Sequence, residues 1–355
     1  MQDTAAWREK ALLQYPWLLG WKTDVLFLLL PNLFAFALYM ALISRPFALD
    51  SLTQLIILLY AGNVFHQGAT WFHYVDKRNY QYYFATTERT IKYAVIPPLI
   101  LLLSLVVGYF YWQIVFVVYM IWTVPHFVQQ NVGILLLYHN HGQNEAIVPR
   151  QLEAKSQQIA GLFFSMLAVD RLFLHGTAIA PFFMALIAVV FCALLVSVTA
   201  YLFQLLSQVK KGAYINVPAL LFWLASIMFF LPFAYVSKDP NISIIIPSLL
   251  HWIQYIALNY VLVKRKYAAE ERKADLPSAK PMLFFLVFCS VILCLQFGPW
   301  MAFNTYFADK INIWISAFLG LGMVHYWIDG LIWKFRDPFI RSNTLPFIVR
   351  PKPTT

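Results

Sequence analysis

Long apolar stretches, each about the length of a bilayer crossing, recur from one end of this chain to the other. A transmembrane helix needs roughly 20 apolar residues. Residues 24–44, 52–75, 93–111, 113–138, 177–207, 215–236, 243–263, 281–303 and 311–333 meet that requirement. Hydrophobic residues make up 61% of the 355 and charged residues 12%, against about 25% charged in an ordinary soluble domain. One soluble core has no room for so much apolar surface, whereas a bilayer covers it. The expectation is an all-α, polytopic transmembrane bundle of nine or ten spans, forming a single integral membrane domain over 1–355.

The net charge of +10 does not point to nucleic acid. Basic residues gather just beyond the apolar stretches, as at Lys264, Arg265 and Lys266, which is where cytoplasmic loops fix topology and meet anionic lipid. Cys192, Cys289 and Cys294 all fall within apolar runs and read as packing residues. The N-terminal residues lack the basic start, short apolar run and cleavage site of a signal peptide. The first span is therefore expected to direct insertion.

Residues 157–175 are apolar enough to cross yet carry Asp170 and Arg171 near one end. The positive-inside rule decides how they are read. With the N-terminus inside, Lys77, Arg78, Arg89, Lys92, Arg150 and Lys155 lie inside. If 157–175 crosses, then Lys210, Lys211, the basic cluster from Lys264 and the C-terminal tail lie inside too. About ten spans with both termini cytoplasmic are therefore expected, in a bacterial-type inner or plasma membrane. Residues 1–22 and 335–355 form short cytoplasmic tails, and 264–280 a cytoplasmic loop.

Polar groups inside spans are expensive and mark functional positions. Four spans carry them at helical spacing. Asn63, His66, Thr70 and His73 share one face, with Asp76 three residues further on. His126 aligns with Gln129 or Gln130 just after Pro125, where a kink is expected. His251, Tyr255 and Asn259 form a third stripe flanked by Gln254, and Gly322, His325 and Asp329 a fourth. In the ten-span topology all four spans run from outside to inside. His66, His126, His251 and His325 then lie roughly nine to fourteen residues, or about 14–21 Å, above the cytoplasmic boundary. His73 and Asp329 form a second layer nearer the cytoplasm.

This layout is that of a shared metal site. Neutral imidazole binds iron, zinc and copper, and carboxylates shift preference toward iron or manganese. The expected ligands are His66, His73, His126, His251, His325 and Asp329. Gln130, Gln254 and Asp76 are expected to orient them, Asp76 being able to ligate directly. Asp329, Tyr255 and Tyr326 are the expected catalytic groups, the tyrosines carrying protons or electrons. His139 and His141 read as interfacial, and Gly320 and Gly322 as close-packing positions.

The expected cofactor is a transition metal, iron first. The chemistry that suits it is oxidation of an apolar lipid, isoprenoid or fatty-acyl substrate, with a cytosolic electron donor. The layout broadly resembles the membrane non-haem iron enzymes, such as fatty-acid desaturases and alkane hydroxylases, and more distantly the bacterial membrane carotene-cleaving oxygenases. The H-x-x-x-H and H-x-x-H-H boxes of the former are missing, so no family is assigned. A proton- or metal-coupled transporter would use similar stripes. Haem held between spans is the further alternative, disfavoured by the adjacent Gln and Asp partners.

Overall fold

The computed structural model describes residues 13–32, 37, 40, 62–141, 150–235, 240–306 and 311–349. The tail before residue 13, much of the expected spans 24–44 and 52–75, and the tail beyond Val349 lie outside the described residues. The fold is all-α. Its strand content among the described residues is one two-residue parallel pairing, Leu13–Gln14 with Ile215–Asn216. Four helical runs are long and apolar enough to cross a membrane: Thr87–Asn140, Ala180–Lys210, Ile246–Lys266 and Ile313–Ile332. On Ala180–Lys210, Phe182, Val189, Val196 and Phe203 recur every seven residues and are 76%, 64%, 69% and 73% exposed. An apolar face this open would be severely unfavourable in water, whereas lipid covers it at no cost.

The described residues fall into two compact units. The first comprises Met1–Phe47, Phe127–His251 and Val349–Thr355; the second comprises Ala48–His126 and Trp252–Ile348.

In the first unit the helix Arg150–Val169 continues through a wider turn, Asp170–Leu174. The doubtful stretch 157–175 is therefore part of one helical run that starts at Arg150. After a short link the chain returns as Ala180–Lys210. Asn216 caps Val217–Met228 by accepting from the Ala219 amide at 3.1 Å, with Pro218 in the first turn.

In the second unit a helix over 62–72 ends in a turn at residues 73–75. Asp76 then caps Lys77–Tyr83 through the Asn79 amide at 2.8 Å. The expected spans 93–111 and 113–138 form one run, Ile96–Asn140, broken only at Tyr111 (φ −145°, ψ 68°). Backbone dihedrals remain helical through Pro125, so the departure from ideal geometry is at Tyr111 rather than at the proline. Pro240–Lys266, Pro281–Tyr306 and Ile311–Ile332 follow, the first of them entering from the first unit. Asp337 caps Pro338–Ile348 through the amides of Phe339 and Ile340.

Small residues set the helix spacing in this unit. A Cβ at Gly68 would come within 2.8 Å of the Cys289 Cα, and one at Gly320 within 2.8 Å of the Ser104 Cβ. A Cβ at Gly322 would meet the Tyr119 ring at 2.8 Å. Ala69, Phe72, Tyr255, Tyr267, Phe285 and Cys289 pack into one core cluster beside these contacts.

Candidate metal centre

Three of the polar stripes meet within the second unit. Helix 62–72 contributes His66 and Thr70, Pro240–Lys266 contributes Tyr255, and Ile311–Ile332 contributes His325 and Asp329. His126 comes from Ile96–Asn140. His66, Thr70, Tyr255 and His325 are each at most 2% exposed.

Thr70 is the hub. Its Oγ1 lies 2.7 Å from His325 Nδ1, 2.8 Å from Asp329 Oδ1 and 2.8 Å from the Tyr255 hydroxyl. Tyr255 donates to the same Asp329 oxygen at 2.7 Å and accepts from Trp333 Nε1 at 3.3 Å. A threonine hydroxyl has one proton and two lone pairs. Given to the carboxylate, the strongest acceptor present, that proton leaves His325 Nδ1 as a donor to Thr70. His66 Nδ1 is bonded to the Asn63 carbonyl, which only accepts, so it too carries its proton.

With both Nδ1 protons so placed, each Nε2 presents its lone pair to the other, 2.9 Å away. Two lone pairs at that separation repel unless a cation or a proton stands between them. The Asp329 Oδ2 lies 3.5 Å from His325 Nε2 and 4.0 Å from His126 Nε2. The ligand atoms of His126, His325 and Asp329 all fall within 4.8 Å of one another, a set able to hold a metal ion. Tyr326 stacks on His126 at 4.2 Å between centroids, and its hydroxyl meets Thr123 Oγ1 at 3.1 Å. Trp252 stacks on His66 at 5.8 Å.

Of the remaining expected residues, His73 and Asp76 have other partners. His73 lies past the end of its helix, so it leaves the His66 face; its Nε2 bonds Asn259 Oδ1 at 3.0 Å and its ring meets Trp333. Asp76 bonds Lys266 at 2.8 Å, the Tyr267 hydroxyl at 2.5 Å and the Asn79 amide. Burial pushes the Asp76 carboxyl upward, but Lys266, Tyr267 and the Asn79 amide outweigh it and hold the group below the usual carboxylate range. His251 belongs to the first unit, where its ring packs on Phe127 at 4.6 Å and its carbonyl accepts from Gln130 Nε2 at 3.1 Å. Gln254, three residues further along the same helix, is fully buried.

The central role of Thr70 goes beyond the expected site, although its signal was present, since it stands four residues after His66 and three before His73. Compared with known protein families, characterised proteins and solved structures, the chain matches none.

Proposed function

We propose that the chain is a membrane-embedded, metal-dependent oxidoreductase whose ligands are His66, His126, His325 and Asp329. The observation that carries this reading is the pair of inward-facing Nε2 atoms of His66 and His325, 2.9 Å apart. His66, His126, His325 and Asp329 would hold the ion, the last three having ligand atoms within 4.8 Å of one another. A set of imidazoles with one carboxylate suits iron(II) left with open positions for oxygen and substrate. Bound iron would supply activation of oxygen against an apolar lipid, isoprenoid or fatty-acyl chain drawn from the bilayer.

The chain's own residues do the rest. Asn63 and Thr70 fix the tautomers and ring planes of His66 and His325. Thr70 and Tyr255 donate to Asp329 Oδ1, turning Oδ2 toward the imidazoles. Tyr255 holds a proton 2.7 Å from the carboxylate and lies beside Trp333, through which a cytosolic donor's electrons would enter. His251, expected from the sequence as a fourth imidazole, contributes to the metal only if its alanine variant loses metal too.

One observation favours a second reading. A shared proton would also relieve the His66–His325 contact, and the Thr70–Tyr255–Asp329 bonds could conduct it, as in a proton-coupled transporter. Haem fits this pair poorly, because axial imidazoles stand on opposite faces of the macrocycle.

Elemental analysis with a visible spectrum of the purified protein separates the three. Near-stoichiometric iron without a Soret band supports the enzyme. A Soret band supports haem, and a metal-free protein that moves protons in liposomes supports transport. Either of those two outcomes removes the enzyme reading.

A further inference from the structure

The first unit holds a buried carboxylate that the metal centre does not use. Glu153, in the first turn of Arg150–Val169, is 1% exposed. Its Oε2 lies 2.5 Å from His139 Nε2, and Tyr201 interacts with the same carboxylate. The frame around it is tightly built. Ser156 Oγ donates to the Glu153 carbonyl at 2.8 Å, Trp223 Nε1 donates to Ser156 Oγ at 2.8 Å, and Tyr201 stacks on Trp223 at 4.1 Å.

One turn beyond Glu153, and so on the same helix face, stands Gln157. It is 1% exposed, and neither its amide nitrogen nor its amide oxygen has a hydrogen-bond partner. A buried amide left so is strongly unfavourable unless a small polar molecule satisfies it. His139 is the least buried member of the group, and next to it Asn140 is exposed and bonded to Arg150 at 3.0 Å. Among the described residues, the titratable side chains shown against Glu153 are His139 and Tyr201; the packed helix Val217–Met228 carries none.

We propose that His139 and Glu153 form a proton-uptake site, with a water held at Gln157 behind the carboxylate. In the loading step the Nε2–H bond of the His139 imidazolium breaks and an O–H bond forms at Glu153 Oε2. The imidazole becomes neutral, the carboxylate becomes a carboxylic acid, and no electron moves. Tyr201 and Ser156 hold the geometry while Gln157 orients the water that next receives the proton. This site stands independently of the metal reading, since none of its residues belongs to the metal set.

Infrared pH-difference spectra of the full-length protein in lipid test it. A carbonyl band of a protonated carboxyl should appear as pH falls, shift in D2O, and vanish in Glu153→Gln, which keeps wild-type metal content and helicity. In His139→Phe, which removes the ring N–H, the band should shift in frequency because the carboxyl loses a hydrogen-bond partner. Should Glu153→Gln fail to fold, Glu153→Asp serves instead and should move the band to a new frequency. A band that persists in Glu153→Gln, or one that keeps its frequency in both His139→Phe and Glu153→Asp, would overturn the proposal and leave Glu153 a purely structural ion-pair partner.

Discussion

The Nε2 atoms of His66 and His325 face one another at 2.9 Å, while Asn63 and Thr70 occupy the two Nδ1 atoms. Nitrogen-15 NMR of metal-depleted protein reloaded with diamagnetic zinc checks the tautomers this implies. Both Nδ1 atoms should stay protonated throughout, and both Nε2 resonances should move on loading. An Nε2–H on both rings in the loaded protein would contradict the assignment.

Thr70 Oγ1 donates to Asp329 and accepts from His325 Nδ1, with the Tyr255 hydroxyl 2.8 Å away. Thr70→Val keeps the shape but removes the bonds, leaving buried polar groups unmatched at about 1–3 kcal/mol. It should also weaken metal binding about 10–100-fold by freeing the His325 ring. Thermal unfolding and competition with a chelator measure the two effects separately. Metal affinity equal to wild type would show that Thr70 orients nothing.

Asp76 and Lys266 form an ion pair in which the residues are 0% and 3% exposed. Because the folded Asp76 carboxyl is held below its unfolded value, its contribution is complete above the usual carboxylate range, about pH 4. It is lost as pH falls through the lower folded value. Asp76→Asn should cost about 3 kcal/mol near neutrality, since Lys266 is left buried and unpaired. It should also flatten the acid limb of stability against pH. An acid limb as steep as wild type would show that other groups set it.

Gly68→Ala should be destabilising by about 1–3 kcal/mol, because its Cβ would meet Cys289 backbone at 2.8 Å. Gly133→Ala is the control, having open space around the position. Unfolding in mixed detergent compares them. Equal stability of the two variants would mean the 62–72 helix does not rest against Cys289.

The helical stripes were legible in the sequence because their spacing of three and four residues is fixed by helix geometry alone. That spacing put His66 and Thr70 on one helix face and His325 and Asp329 on another, and His66 and His325 do meet. Which partner each would meet was not legible. Thr70 meets His325, Asp329 and Tyr255 across separate helices, a pairing that spacing along one helix does not encode. His73 continues the stripe in sequence, but the helix stops at residue 72 and its ring turns to Asn259. Lys266 read as a loop charge, whereas the helix Pro240–Lys266 carries it inward to Asp76. The break at Tyr111 falls where the expected spans 93–111 and 113–138 divide, although no proline or glycine stands at that residue.

Metal content per chain, measured in the wild type and in His66→Ala, His126→Ala, His325→Ala and Asp329→Ala, bears most directly on the proposed centre. The account predicts close to one transition-metal ion per chain, or two for a dinuclear site, and clear depletion in each of the four variants with helicity retained. Full metal retention in all four, or a wild-type protein that never holds metal, would contradict it.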